Sequence, residues 1–287
     1  MKIGIVAKTF ARASLAETLD AVVSHGMDCI QFNFTCVGLP LLPERIELSL
    51  LDSIRQELAR RRIRLAAVSG ICNLIHPDPV ERRNGLRRFR TLAQACRRLG
   101  APIITLCTGT RDPHDPWRWH PDNALPEAWQ DLRASLAEIL PLAQEHNLVL
   151  AFEPEAANVV DSAQKGRQLL DEVRSPRLKV VMDAANLFHP GQLSRMREML
   201  DEAFHLLGGD IVLAHAKDIR PGGHGHVPAG KGVLDFDHYL DLLRTTDPAL
   251  PLILHTLEEH EVPGCVAFLR SKLNGEKAPD SDFLQVT

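Results

Sequence analysis

Four ionisable residues close apolar runs: Glu153 after LVLAF, Asp183 after LKVVM, His215 in IVLAHA and His255 after PLIL. Alternation along an extended chain puts Glu153 on the face of Ala151 and Val149, and His215 on the face of Leu213 and Ile211. One such residue alone is usually a loop contact or a helix cap. Four of them at the same end of consecutive strands need a common partner, because unpaired charge buried there costs several kcal/mol. Two carboxylates and two imidazoles suit one divalent ion: Mn²⁺, Mg²⁺, Co²⁺ or Zn²⁺.

Other residues fit a small polyol around that ion. Lys217 lies two positions after His215, on the same side, where it steadies a substrate oxyanion or pairs with a carboxylate. Glu155 shares the face of Glu153 if the strand continues through Pro154. Asn73 and His76, in ICNLIHPDP, are candidates for sugar hydroxyls. The segment TGTRDPHDPWRWHPDN carries Trp117 and Trp119, which either stack on the apolar face of a sugar ring or pack on a rim. Its Arg111 suits a phosphate or carboxylate. RPGGHGHVPAGKG, at 220–232, lacks phosphate-loop spacing, so its glycines read as turns and His224 and His226 as solvated. RRFRTLAQACRR, at 87–98, reads as the exposed face of a helix.

These residues can meet only if strands carry them to one place. Strand patterns fall at 3–7, 28–34, 64–69, 102–107, 148–153, 178–183, 211–216 and 251–255. Their near-continuous apolar character fits parallel strands covered on both sides. Helical patterns lie between them. One follows a Ser14/Glu17 capping box and stops at Gly26; others span 46–62, 80–99, 126–146, 162–173, 193–207 and 262–273. Eight strand–helix units in this length predict a closed (β/α)8 TIM barrel over 1–273, with a polar tail at 274–287. GxGxxG does not follow the first strand, which argues against a dinucleotide-binding sheet. The long linkers, 35–45, 108–125 and 217–234, all follow strands, on the side where such a barrel carries its active site.

Composition narrows the function. The chain has 287 residues, 45% of them hydrophobic and 24% charged, with a net charge of −4. That excludes overall disorder and gives no support to a nucleic-acid partner. No apolar run of about 18 residues predicts a membrane span. MKIGIVAKTF enters a strand directly and lacks the features of a signal peptide. Six scattered cysteines form no CxxC pair, so neither a thiolate zinc site nor a disulfide framework is expected, and a cytoplasmic location is.

With LAFEPE, VVMDAANLFHP, LAHAKD and VPAGKGVLDF, residues 1–273 resemble the xylose isomerase-like TIM-barrel superfamily. That group includes ketose 3-epimerases, hydroxypyruvate isomerase, inosose dehydratase and endonuclease IV. The resemblance implies metal ligation by Glu153, Asp183 and His215, with Glu153 also the general base, and a homo-oligomer as the assembly. Two positions depart from the epimerase pattern. LILHTLEE puts His255 where the eighth strand usually ends in glutamate, with Glu258 a weaker substitute. Asn186, expected among the substrate contacts, stands where epimerases tend to have histidine, and His189 comes later.

The expected activity is metal-dependent isomerisation or epimerisation of a small sugar, keto-sugar or polyol through an enediolate. His255 would complete the metal shell or return the proton. A dehydratase or lyase would need an acid over the leaving hydroxyl, with His120 or His76 as candidates. An abasic-site endonuclease is disfavoured by the negative charge and the shortage of matching histidines. A non-catalytic, carbohydrate-binding barrel is the remaining reading.

Overall fold

The computed structural model describes residues 1–275. Eight parallel strands close into a barrel: β1 (Lys2–Val6), β2 (Cys29–Phe32), β3 (Arg64–Ser69), β4 (Ile103–Cys107), β5 (Val149–Glu153), β6 (Leu178–Asp183), β7 (Ile211–Ile219) and β9 (Pro251–Leu254). A short strand, β8 (His226–Pro228), turns back antiparallel onto the end of β7. Pairing of β6 with β7, and of β9 with both β7 and β1, seals the ring.

Eight helices surround the strands: α1 (Leu15–Ser24), α2 (Leu48–Arg60), α3 (Pro79–Leu99), α4 (Pro126–His146), α5 (Ala163–Val173), α6 (Met196–Leu207), α7 (Phe236–Thr246) and α8 (Val262–Asn274). The Ser14/Glu17 capping box opens α1 as expected. The sequence reading places no helix between 234 and the last strand, yet α7 forms there. Asp235 caps it by accepting from His238 N, while Phe236, Tyr239, Leu240 and Leu243 bury one stripe at helical spacing. The expected linker at 217–234 also changes, because β7 runs on to Ile219 and β8 forms within it. Of the expected polar tail, Asn274 closes α8 and Gly275 caps it in a left-handed conformation. Residues 276–287 lie outside the described residues. No helix among the described residues is long and apolar enough to cross a membrane.

The barrel has two cores. Between strands and helices lies the larger, with Phe32, Phe89, Phe152 and Tyr239 buried in it. Inside the ring, Cys29, Ile103, Ala151, Val181, Leu213 and Ile253 form a small apolar plug. Gly4 passes so close to this plug that a Cβ there would meet Cys29 O at 2.6 Å and Ile253 Cδ1 at 2.7 Å.

Two residues further along the same strands come Gln31, Thr105, Glu153, Asp183, His215 and His255. Strand alternation therefore stacks a polar layer on the plug. One irregularity sets the alignment. Val180 pairs with Ile211, but Val181 pairs with Leu213, so Val212 is an extra residue in β7. Without that step Asp183 would face Ala214; with it, Asp183 pairs with His215.

Tyr239 ties this region to α7, its hydroxyl lying 2.9 Å from Met182 O and 3.0 Å from His215 O. Tyr239→Phe is expected to lower stability by about 1–2 kcal/mol in urea unfolding, because carbonyls buried beside the site lose their donor. An unchanged midpoint would show that the hydroxyl is not needed there.

Candidate metal centre

The polar layer draws Glu153, Asp183, His215 and His255 together at the barrel mouth. His215 Nδ1 lies 3.4 Å from Glu153 Oε2 and 3.6 Å from Asp183 Oδ2. Ligand atoms of Asp183, His215 and His255 fall within 4.8 Å of one another. The two imidazoles stack, with ring centroids 5.0 Å apart and planes inclined by 20°. His255 directly precedes Thr256, a β-branched residue held at φ +57°, whose hydroxyl lies 3.1 Å from His255 Nδ1. Strain of that kind collects where the surrounding structure fixes a functional position.

Charge is concentrated here on buried side chains. Asp183 is fully buried, and Lys217 Nζ lies 3.3 Å from its Oδ2. Burial opposes the charged form of Asp183, but Lys217 and His215 outweigh it and hold the carboxyl below its usual range. Burial likewise opposes a charged His215, yet Glu153 and Asp183 lift it to about 9. Lys217 is raised against its own burial by Asp183, Glu153 and Glu155. His255 moves well below the ordinary histidine value through burial and the neighbouring charges of His215 and Lys217. At neutral pH the stacked pair thus carries one ring proton in excess of neutrality, on His215.

Two atoms in this cluster lack any hydrogen-bond partner: Asp183 Oδ2 and His215 Nδ1. Buried polar atoms left this way are costly, and here they face each other beside a second carboxylate. A donor set of two oxygens and two imidazoles fits a divalent cation of the transition series. Behind it, His215 Nε2 contacts Gln31 Oε1 at 2.9 Å.

Above the cluster opens a cavity of about 690 Å³. The expected Trp117, Trp119 and Asn186 line it, as do Glu155, Lys217, Phe188 and Lys8. Trp117 and Trp119 are each about half exposed. The Asn186 amide donates to Glu153 Oε1. Burial and the Glu153 charge push Glu155 up to about 7, although Lys217 works against the shift.

Three expected substrate contacts serve the loops instead. Asn73 donates to Thr110 O and accepts from Thr110 N and Ile75 N. His76 Nδ1 accepts from Asp78 N. Arg111 pairs with Asp131 and donates to Ile75 O. None of the three lines the cavity. Glu258 is also outside it, capping the turn before α8 through Glu261.

His226, expected in solvent, is on the cavity wall, where burial and Lys217 lower its pKa. It opens β8, in the chain after β7 that Asp218 organises. That buried carboxylate accepts from the backbone N–H groups of Ile219, Gly230, Gly232 and Leu234. At Gly232 a Cβ would meet Ile219 O at 2.2 Å and Asp218 Oδ1 at 2.4 Å. Sequence reasoning missed Gln31 altogether; its one signal was an amide between Ile30 and Phe32 in the strand pattern DCIQFNF.

The sequence model of a family described as xylose isomerase-like TIM barrel matches residues 19–272. The L-ribulose-5-phosphate 3-epimerase UlaE of Shigella flexneri serotype 5b (strain 8401) is 24% identical over 186 residues. That match covers 65% of this chain and only 61% of UlaE. A crystal structure of the IOLI protein with a bound zinc atom superposes with a TM-score of 0.74 at 18% identity, covering 97% of this chain and all of the other. The probable 3-DHS dehydratase AsbF of Bacillus anthracis gives 0.74 at 16%, covering 94% and 99%. At such identities these structures show a common fold.

An ion entering this cluster has to displace the proton on His215 Nδ1, so acid weakens binding and alkali strengthens it. Zn²⁺ or Mn²⁺ affinity should climb about tenfold per pH unit and level off near pH 9, with about one proton released. Titration calorimetry in buffers of different ionisation heat measures both; pH-independent binding would contradict the assignment.

Proposed function

The chain belongs to the xylose isomerase-like TIM-barrel family, and from that premise we propose that it is a metal-dependent isomerase or epimerase of a small sugar, keto-sugar or polyol. The observation that carries this reading is the pair of orphaned buried atoms, Asp183 Oδ2 and His215 Nδ1, facing each other beside Glu153. Glu153, Asp183, His215 and His255 would hold the ion. When bound, it would polarise a carbonyl and an adjacent hydroxyl and so acidify the C–H beside the carbonyl.

The protein's own groups then divide the work. Asn186 grips one oxygen of Glu153 and steadies the carboxylate as the base that takes the substrate proton. Lys217, kept charged by its carboxylate neighbours, stabilises negative charge on the substrate oxygen. His255, held neutral, offers a ring lone pair as a ligand. Trp117 and Trp119 give the substrate an apolar surface at the mouth. The six free cysteines support a cytoplasmic location.

One observation favours a dehydratase or lyase as the second reading. A carboxyl held near pH 7, as Glu155 is, is half protonated at neutrality and could protonate a leaving hydroxyl.

Proton abstraction is tested by incubating the metal-loaded protein with a panel of keto-pentoses and keto-hexoses in D2O. Deuterium should enter at the carbon beside the carbonyl, and Glu153→Gln should slow its entry at least about 100-fold. Metal-loaded protein that exchanges no C–H in any ketose would overturn the proposal. Release of water from the sugar would move the assignment to the lyase.

A further inference from the structure

We propose that Gln31 is a positioning residue: when the His215 ring is neutral, Gln31 fixes it in the tautomer that carries hydrogen on Nε2 and leaves Nδ1 bare towards Glu153 and Asp183. Its consequence for metal binding rests on the function proposed above; the tautomer itself does not.

Gln31 lies inside the barrel on β2, almost fully buried, directly beneath the candidate centre. Its amide nitrogen is 2.9 Å from Ser69 Oγ and 3.4 Å from Thr105 Oγ1, and its Oε1 is 2.9 Å from His215 Nε2. The –NH2 end can only donate, and it meets two hydroxyls able to accept; the carbonyl end can only accept, so it takes a hydrogen from the ring. On the other side of the ring, Nδ1 has no hydrogen-bond partner, since its carboxylate neighbours stand at 3.4 and 3.6 Å. The neutral ring therefore keeps its hydrogen where an acceptor is within bonding distance. A turned amide would do the reverse: –NH2 would face Nε2, the hydrogen would move to Nδ1, and the lone pair needed by a cation would disappear. Ser69 and Thr105, on β3 and β4, meet the other end of that amide.

The experiment uses the full chain, stripped of metal by chelation, and two variants. Gln31→Met keeps the length and loses the acceptor; Gln31→Glu keeps an acceptor. Two-bond ¹H–¹⁵N correlation NMR, recorded at a pH where the ring is neutral and assigned with His215→Asn, reports the tautomer. Calorimetry with Zn²⁺ alone reports affinity. Wild type and Gln31→Glu should show hydrogen on Nε2 and similar Zn²⁺ affinity. Gln31→Met should shift hydrogen to Nδ1 and bind Zn²⁺ about 10–100-fold more weakly. Hydrogen on Nδ1 in the wild type overturns the proposal whether or not Gln31→Met folds. So does a folded Gln31→Met with the wild-type tautomer and affinity. A wild type with hydrogen on Nε2 that binds no divalent ion would sink the metal reading and leave the assignment of Gln31 standing.

Discussion

The desolvated contact between Asp183, His215 and Lys217 governs the rest of this molecule. Removing a carboxylate from water costs several kcal/mol, and attraction to a single ammonium seldom repays it. Asp183 therefore needs every favourable neighbour it has. Lys217 approaches from β7, His215 pairs across the β6–β7 ladder, and the N–H of Ala185 donates to Oδ1. The cluster still leaves one carboxylate oxygen and one ring nitrogen unmet. A polar knot so placed lowers the stability of the barrel, and such groups collect at functional sites.

The fold is arranged to tolerate that knot. Small apolar side chains seal the barrel below it, and Gly4 leaves room for Ile253 to pack there. Gln31, Ser69 and Thr105 form an uncharged polar tier between plug and ions, so polarity rises in steps along the axis. The extra residue Val212 then rotates the end of β7 so that His215 and Lys217 both point inward. A single inserted residue decides whether the acid and the imidazole share a face.

Much of this was legible in the sequence because strands in a closed parallel barrel are apolar on both faces. Against that background an inward Glu153, Asp183, His215 or His255 stands out. Helix α7 was missed because the glycine-rich turn run leads almost directly into it, and turn signals drew attention from the short stripe at Phe236, Tyr239, Leu240 and Leu243. Asn73, His76 and Arg111 stand apart from the cavity for another physical reason. Polar side chains on long loops must satisfy backbone groups that strands and helices would otherwise pair, and Asn73 alone meets three. Sequence gives the residue type but not the partner, so a scaffold asparagine looks like one that touches a ligand. Gln31 was hidden for the converse reason: one amide among apolar neighbours carries no charge to draw notice.

Asp218 binds four amides from a chain segment spanning sixteen positions, from Ile219 to Leu234, with one carboxylate. Such an anchor couples both ends of the overhang rigidly and leaves its tip, from Arg220 to Gly225, outside the bond network of that carboxylate. Substitutions at the tip can then reshape the entrance without loosening the hinge. The rim of the barrel is in this way free to vary while the polar floor beneath it keeps its shape.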